Sequence, residues 1–287
     1  MPHHFTPGPQ SSALSGHEAE QRDFVSQLPP SPLPDEFALH SNGSPCQQHH
    51  FPDKQVNCQL STLPQVGDPE IDEQDSAGQT ALMRVARSGD HATVRLLLTL
   101  GASADARDKN GLTPLLRAAG NGHRAVVKLL LTREDVNPDS KDNDGWTPLL
   151  WAARNDHEEV VRLLLGRSDV NPDSKDHDGW TPLLGAAGNG HREVVKLLLT
   201  RTVVNPDSKD NAGYTPLSWA VRKGHEEIVK ILLARHDVDV DSKDHSGHTV
   251  WDYAAEQNNK AITTLLSNRA KGQISNRPPY YDILADF

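Results

Sequence analysis

The sequence predicts an all-α solenoid of about six helix-turn-helix repeats, flanked by disordered termini. Three observations lead to this prediction. One motif recurs in the middle of the chain at spacings of 33 or 34 residues. Each copy carries the start signals of one helix and the apolar pattern of a second. The residues before this region show no apolar periodicity, and the low hydrophobic share of 36% fits partial disorder, an elongated fold with a thin core, or both.

The N-terminal segment, residues 1–65, is predicted to be disordered and acidic. Residues 1–69 hold eleven of the 20 prolines, together with many Ser, Gln and His residues. Such a segment buries too little apolar surface to offset its conformational entropy. Of the total net charge of −10, residues 1–74 carry −8, whereas residues 75–270 carry only −2. The repeats therefore present no basic surface for phosphates, and we expect no nucleic-acid ligand.

Each repeat begins with a turn and a capped first helix. A glycine marks each turn and an aspartate precedes it by three residues, so repeats start near residues 75, 108, 142, 176, 210 and 244. A threonine follows two residues after the glycine, and in the four central repeats a proline comes next. Threonine supplies a helix-capping oxygen, and proline suits the first helical position. This pattern predicts first helices such as residues 148–154.

The second helix of each repeat carries a strong apolar face. A turn holding Gly122, Gly190 or Gly224 precedes a histidine, and Val-Val-x-Leu-Leu-Leu follows at 126–131, 160–165 and 194–199. This face needs a partner, which stacked neighbouring repeats supply. Residues 66–74 look like the end of a degenerate earlier repeat, and the last repeat is more polar, as a cap should be. The predicted repeat domain is residues 66–270, with a flexible tail at 271–287.

The segment 108–123 followed by Val126–Leu131 resembles the ankyrin repeat, and the resemblance spans about residues 66–270. The phrase Asp-Val-Asn-Pro-Asp-Ser-Lys-Asp at 135 and 169, with a variant at 203, is similar to ankyrin arrays common in filamentous fungi. The resemblance implies short β-hairpin fingers and a concave groove that binds a protein. The histidine that usually follows Thr-Pro-Leu is replaced here by Leu116, Leu150, Leu184 and Ser218. The resemblance implies that this histidine supports hydrogen bonding between repeats, and we expect apolar contact to take over that role at the three leucines.

The predicted partner-binding groove combines finger positions with first-helix positions. The resemblance implies that the residue after each turn glycine faces the groove, and this position varies between repeats, as a recognition surface should. An alternative is that these residues only pack on the neighbouring finger, and the aromatic residues of the first helices could likewise pack between helices. The candidate residues are Leu112, Trp146, Trp180 and Tyr214 on the fingers, and Arg117, Trp151, Arg154, Trp219 and Arg222 on the first helices.

The sequence predicts no catalytic residue, no cofactor and no metal site. The histidines His123, His157, His191 and His225 occur once per repeat, about 10 Å apart, which is too far for shared metal ligation and favours a structural role. The repeat-starting aspartates are interpreted as turn and capping residues. A zinc site at Cys46, His49, His50 and Cys58 is the weaker alternative to an unstructured patch. With only two cysteines, no signal peptide and no long apolar stretch, we expect a monomeric cytoplasmic or nuclear protein without membrane insertion.

The C-terminal tail carries one motif. Pro278, Pro279, Tyr280 and Tyr281 match Pro-Pro-x-Tyr, which resembles the ligands of WW domains. The alternatives are a sorting signal at 281–284 and a tail that folds onto the last repeat.

The leading hypothesis for the function of the whole protein is a protein-interaction module or scaffold. The alternative is an adaptor that recruits a WW-domain ubiquitin ligase through Pro278, Pro279 and Tyr281 to a cargo held by the repeats. Transcriptional co-regulation through the acidic N-terminal tail is a weaker hypothesis.

Overall fold

The computed structural model describes residues 69–272, and this region holds twelve α-helices in six consecutive pairs. A short 3-10 helix, Pro69–Asp72, precedes them. The first helices of the pairs are α1 (Ala81–Ser88), α3 (Pro114–Gly120), α5 (Pro148–Arg154), α7 (Pro182–Asn189), α9 (Pro216–Lys223) and α11 (Val250–Glu256). The second helices are α2 (His91–Thr99), α4 (Arg124–Leu130), α6 (Glu158–Leu165), α8 (Arg192–Leu199), α10 (Glu226–Leu233) and α12 (Lys260–Ala270). The predictions for residues 1–65 and for the tail from residue 273 lie outside the described residues.

The first helices start where the sequence predicts. Thr147 lies just before α5 in extended conformation, and its hydroxyl oxygen accepts the N–H of Leu150 at 3.2 Å. Pro148 occupies the first helical position, where its missing N–H leaves no intrahelical bond unmade. The same cap recurs at Thr113, Thr181 and Thr215, each of which precedes a proline. The predicted helix at residues 148–154 is confirmed.

The core lies between the stacked helix pairs. First helices pack on first helices of the next repeat, and second helices pack on second helices. On α6 the buried residues are Val160, Val161, Leu164 and Leu165, which are four of the five apolar positions of the predicted second helix. A single pair could not bury this face, so each repeat depends on its neighbours.

The histidine before each second helix connects adjacent repeats. The Nε2 atom of His157 lies 2.9 Å from the carbonyl oxygen of Gly120, which ends the first helix of the preceding repeat. His123 contacts the Arg87 carbonyl in the same way, and His191 contacts that of Arg154. The predicted structural role of these histidines is confirmed. Leu116, Leu150 and Leu184, which replace the usual ankyrin histidine, are fully buried.

The fingers between repeats are turns, whereas the resemblance predicts β-hairpins. No strand occurs within residues 69–272. Each finger is closed by a backbone bond such as Asp142 N–H to the Trp146 carbonyl, at 3.1 Å. Adjacent fingers share one backbone bond, such as Asn143 N–H to the Asn110 carbonyl, at 3.0 Å. One bond per pair of fingers is too few to form a β-ladder.

The ends of the array differ from its middle. Ile71 in the 3-10 helix is buried, and the Asp72 carboxylate accepts the N–H of Ser103 at 2.9 Å. At the other end, Thr263 and Thr264 are exposed on α12, which confirms the predicted polar cap. Between residues 69 and 272, no helix has the length and apolar character needed to cross a membrane.

Candidate partner-binding surface

A repeated hydrogen bond ties the finger to its own first helix in five of the six described repeats. In the third repeat, Asp142 Oδ1 accepts the N–H groups of Asp144 at 3.1 Å and Trp146 at 2.8 Å. Its second oxygen, Oδ2, accepts the indole N–H of Trp151, nine residues later, at 2.9 Å. The same nine-residue pairing joins Arg84 to Asp75, Arg117 to Asp108, Trp219 to Asp210 and Tyr253 to Asp244. The aspartates are turn residues, as predicted, and they also position the side chain on the first helix.

The first aromatic cluster consists of Trp146, Trp151 and Arg154. The two indole rings lie 4.5 Å apart between centroids and are tilted by 47°. The Arg154 guanidinium lies 4.6 Å from the centre of the Trp146 ring, within cation–π range. Trp146 is 8% exposed, whereas Trp151 and Arg154 are half-buried. The half-buried side chains of Trp151 and Arg154 therefore form the accessible part of this cluster.

The second aromatic cluster consists of Trp180, Tyr214, Trp219, Arg222 and Tyr253. Trp219 lies 5.0 Å from Trp180 and 5.1 Å from Tyr214, and Tyr214 lies 5.9 Å from Tyr253. The Arg222 guanidinium lies 5.1 Å from the Tyr214 ring and 5.6 Å from the Trp219 ring. Trp219 is only 3% exposed, and Tyr253 is also buried. The half-buried side chains of Trp180, Tyr214 and Arg222 form the accessible part of this cluster.

Large and small residues alternate between successive first helices. Gly120 on α3 faces Trp151 on α5, since a Cβ added to Gly120 would lie 3.5 Å from the indole. Gly188 on α7 faces the second aromatic cluster in the same way, with an added Cβ 3.9 Å from Trp219 Cβ. Between α5 and α7 the large residue is on the earlier helix and the small one on the later helix. There, a Cβ added to Gly185 would lie 3.5 Å from Arg154 Cβ. This alternation determines where each tryptophan fits.

The two clusters contain seven of the nine candidate groove residues. Leu112 is half-buried and lies outside both clusters. Arg117 is buried and pairs with Asp108 at 2.5 Å. Arg117 and Trp219 thus contribute to the packing of the repeats, and partner contact by all nine candidates stays a prediction. Tyr253 was missed as a cluster member, although its position nine residues after Asp244 gave the signal.

The fourth repeat differs from the third because its starting aspartate, Asp176, has no side-chain donor to offset the effect of burial on its pKa. Burial raises the pKa of Asp142, although the Trp151 indole N–H opposes this effect. In the fourth repeat burial raises the pKa of Asp176 to about 6, and its Oδ2 has no hydrogen-bond partner among the described residues. Burial also lowers the pKa of the neighbouring Arg154 guanidinium.

No metal site is visible in the region that the structure covers, residues 69–272. No group of three or more His, Cys, Asp or Glu residues there is arranged to hold an ion. The weaker zinc alternative at Cys46, His49, His50 and Cys58 lies outside the described residues, as does the WW-ligand motif at Pro278, Pro279 and Tyr281.

Comparison with known families agrees with this architecture. The family model for ankyrin repeats matches in three copies, at residues 54–142, 127–210 and 202–276. A comparison with curated proteins finds no match, and the similarity to fungal arrays stays a prediction. Ankyrin repeats are generally protein–protein interaction modules and are typically not enzymes. On the matched residues and the six stacked helix pairs, the chain belongs to the ankyrin-repeat family.

Proposed function

We propose that this array binds a protein partner on its concave face, through the surface formed by the first and second aromatic clusters. The observation that supports it is the concentration of half-buried aromatic and arginine side chains at positions that vary from repeat to repeat. Trp180, Tyr214 and Arg222 of the second cluster keep accessible surface beside buried neighbours. Tryptophan, tyrosine and arginine are the residues that most often dominate protein interfaces.

The rigidity of these side chains favours binding of a protein. Arg154 is held over Trp146, and Arg222 is held over Tyr214, so both guanidinium groups are oriented before a partner arrives. A preorganised side chain loses little conformational entropy on binding. Such a surface, with aromatic centres and charged edges, has the composition of a protein interface. In this proposal the protein acts as a monomeric scaffold in the cytoplasm or nucleus.

Site-specific photo-crosslinking tests the proposed surface. Benzoylphenylalanine placed at position 214 should crosslink a partner in extract from the source cells, because Tyr214 is half-buried within the second cluster. The same group at position 128 is the control, since Lys128 is exposed on the second helix α4. Specific crosslinks from position 214 but not from position 128 support the proposal. Equal crosslinking at both positions contradicts it.

Binding of the identified partner can then be measured with purified variants. Arg222→Ala removes a guanidinium that lies over the cluster rings but has no part in the core. We expect at least a tenfold weaker Kd, about 1.4 kcal/mol, with an unchanged unfolding midpoint. Lys128→Ala should leave both unchanged. If the Arg222→Ala variant binds as tightly as the parent protein, the partner-binding surface does not include the second aromatic cluster.

A second candidate function is that of an adaptor, and it depends on Pro278-Pro279-Tyr280-Tyr281 in the sequence. In this proposal the tail recruits a WW-domain ubiquitin ligase to a cargo held by the repeats. A peptide of residues 271–287 should bind a purified WW domain with micromolar affinity, about −7 kcal/mol. Tyr281→Ala should abolish binding, whereas Tyr280→Ala should have a small effect because Tyr280 occupies the variable position. Equal losses from the two substitutions would remove this candidate.

A further inference from the structure

Arg222 lies among aromatic rings and has no acidic partner in the described part of the chain. Its guanidinium lies 5.1 Å from the centre of the Tyr214 ring and 5.6 Å from that of Trp219. A third ring, that of Tyr253, is 5.9 Å away. Within residues 69–272 the half-buried Arg222 side chain forms no ion pair and no hydrogen bond. Glu256, at the equivalent position of the next repeat, is exposed and does not pair with it.

The aspartates of the fifth and sixth repeats do not pair with Arg222 because aromatic donors already use them. Trp219 donates its indole N–H to Asp210 Oδ2 at 2.8 Å, and Tyr253 donates its hydroxyl to Asp244 Oδ2. The other oxygen of each carboxylate accepts backbone N–H groups of its own finger. In the second repeat, by contrast, Arg117 satisfies the equivalent aspartate. The aromatic donors therefore leave the Arg222 guanidinium available to an acceptor from outside the repeats.

Arg154 is also stacked on an indole ring, but its charge environment differs from that of Arg222. Burial lowers the pKa of Arg154, and the carboxylate of Asp176 opposes that effect. Arg154 therefore has an acidic group of its own protein nearby. The residue next to Arg222 is instead a second cation, Lys223, whose ammonium group lies 6.0 Å from the Trp219 ring. The second aromatic cluster thus carries two positive charges beside one indole, which favours an anion.

Accessible aromatic surface adjoins the Arg222 guanidinium. Trp180 and Tyr214 lie on adjacent fingers, and both side chains are half-buried. Their rings lie 5.0 Å and 5.1 Å from the Trp219 ring, which is buried between them and the core. A ligand that combines a carboxylate with an apolar group would therefore pair with the guanidinium and lie on the accessible parts of these two rings.

We propose that the partner protein binds this face with an aspartate or glutamate next to an apolar residue, and that the carboxylate pairs with the guanidinium of Arg222. The inference rests on the proposed function, since it names the chemistry by which the second aromatic cluster recognises its partner. A guanidinium presents a planar pair of donors that matches a carboxylate in two parallel hydrogen bonds. The rings around Arg222 orient it before binding, so little conformational entropy is lost.

The test uses hydrocinnamate, a small carboxylate with one aromatic ring, so it does not require a partner protein. Nitrogen–proton NMR of the full chain follows the Nε–H signal of Arg222 and the indole N–H signal of Trp180. At neutral pH and constant ionic strength, we expect saturable shifts of both signals, with a Kd on the order of millimolar. Hydrocinnamamide has the same shape without the charge, and it should bind at least about threefold more weakly.

Three variants make the test specific to this site. Arg222→Gln removes the charge and the paired donors, and it should weaken hydrocinnamate binding at least about fivefold with an unchanged unfolding midpoint. Arg222→Lys keeps the charge without the planar donor pair, and it should give an intermediate Kd. Arg201→Gln is the matched control and should leave the Kd unchanged.

Arg201 is a suitable control because it is an exposed arginine without an ion pair in the described region. Val203 replaces the aspartate that pairs with the equivalent arginine in three other repeats. No aromatic ring lies within cation–π range of Arg201 among residues 69–272. The comparison therefore separates an arginine oriented by aromatic rings from one that is only unpaired.

Three results would overturn the inference. They are the absence of saturable shifts in the parent protein, equal binding of hydrocinnamate and hydrocinnamamide, and an unchanged Kd in Arg222→Gln. Crosslinks from position 214 together with any of these results would reject the carboxylate and keep the partner surface. A positive titration without crosslinks would keep Arg222 as a carboxylate site and reject the proposed function.

Discussion

Trp151 donates its indole N–H to Asp142 Oδ2 at 2.9 Å, and this bond joins a finger to the helix that follows it. The other oxygen of the same carboxylate holds the finger backbone through the N–H of Trp146. One aspartate thus fixes both the finger conformation and the position of an aromatic ring. Because the ring stacks on Trp146 itself, the hydrogen bond and the stacking support each other.

Trp219→Phe tests the energetic role of this hydrogen bond. Trp219 is 3% exposed and donates to Asp210 Oδ2 at 2.8 Å, so phenylalanine would keep an aromatic ring but leave a buried carboxylate oxygen unsatisfied. We expect the free energy of unfolding to fall by about 1–3 kcal/mol in urea titration. Trp180→Phe is the control, because the Trp180 indole donates to no residue within 69–272. Equal losses in the two variants would show that only ring size matters.

Asp176→Asn should change the pH dependence of stability. The pKa of Asp176 rises from an ordinary 3.8 to about 6 because of burial, so the folded state binds its proton more tightly than the unfolded state. The contribution of Asp176 to the free energy of unfolding therefore falls as the pH rises from about 4 to about 6, and it stays low at higher pH. The asparagine variant should be flatter over this range and more stable at pH 7, on the order of 1–2 kcal/mol after allowance for solvent screening.

Asp142→Asn, at the equivalent position of the third repeat, should change the free energy of unfolding in the opposite direction. Its amide would present a donor to the Trp151 indole N–H, which is also a donor, so the hydrogen bond would be lost. We expect this variant to be less stable than the parent protein at pH 7. Urea titrations at several pH values measure both variants. A loss of stability in Asp176→Asn as large as that in Asp142→Asn would contradict the description of Asp176 as unpaired.

Gly122→Ala and Gly224→Ala separate backbone strain from side-chain collision. Both glycines have left-handed backbones, with φ of +74° and +75°. A Cβ at Gly122 would lie 2.6 Å from the His157 ring, whereas a Cβ at Gly224 meets nothing within 4 Å. Gly224→Ala should cost about 1–2 kcal/mol through the backbone alone. Gly122→Ala should cost more in the same denaturant titration, because His157 would also lose its bond to the Gly120 carbonyl.

Leu164→Ala measures the contribution of a central second helix to the core. Leu164 is fully buried on α6 between neighbouring second helices. We expect a loss of about 2–4 kcal/mol from lost burial and the cavity that remains. Leu96→Ala is the matched control, since Leu96 on α2 is 54% exposed and should change stability by less than about 0.5 kcal/mol. Similar losses at both positions would show that the stacking of α6 is described incorrectly.

The sequence by itself determined the repeat boundaries, the helix starts and the buried faces. These features follow from signals that act within a few residues of the chain. Thr147 caps α5 through an amide three residues away, and the apolar spacing around Leu164 specifies one face of α6. Local chemistry of this kind is the same in any fold that keeps the helix.

Only the tertiary structure decided which aromatic residues are accessible and which of the repeat-starting aspartates lacks a side-chain donor. The environment of Trp219 depends on Gly188 in the preceding repeat, and that of Gly185 depends on Arg154, at separations of 31 residues in each case. The sequence therefore placed Trp219 and Arg117 among groove candidates although both are buried. From the sequence, Asp176 is interpreted as an ordinary turn residue. The absence of a side-chain donor to its carboxylate becomes visible only when the packing of successive first helices is known.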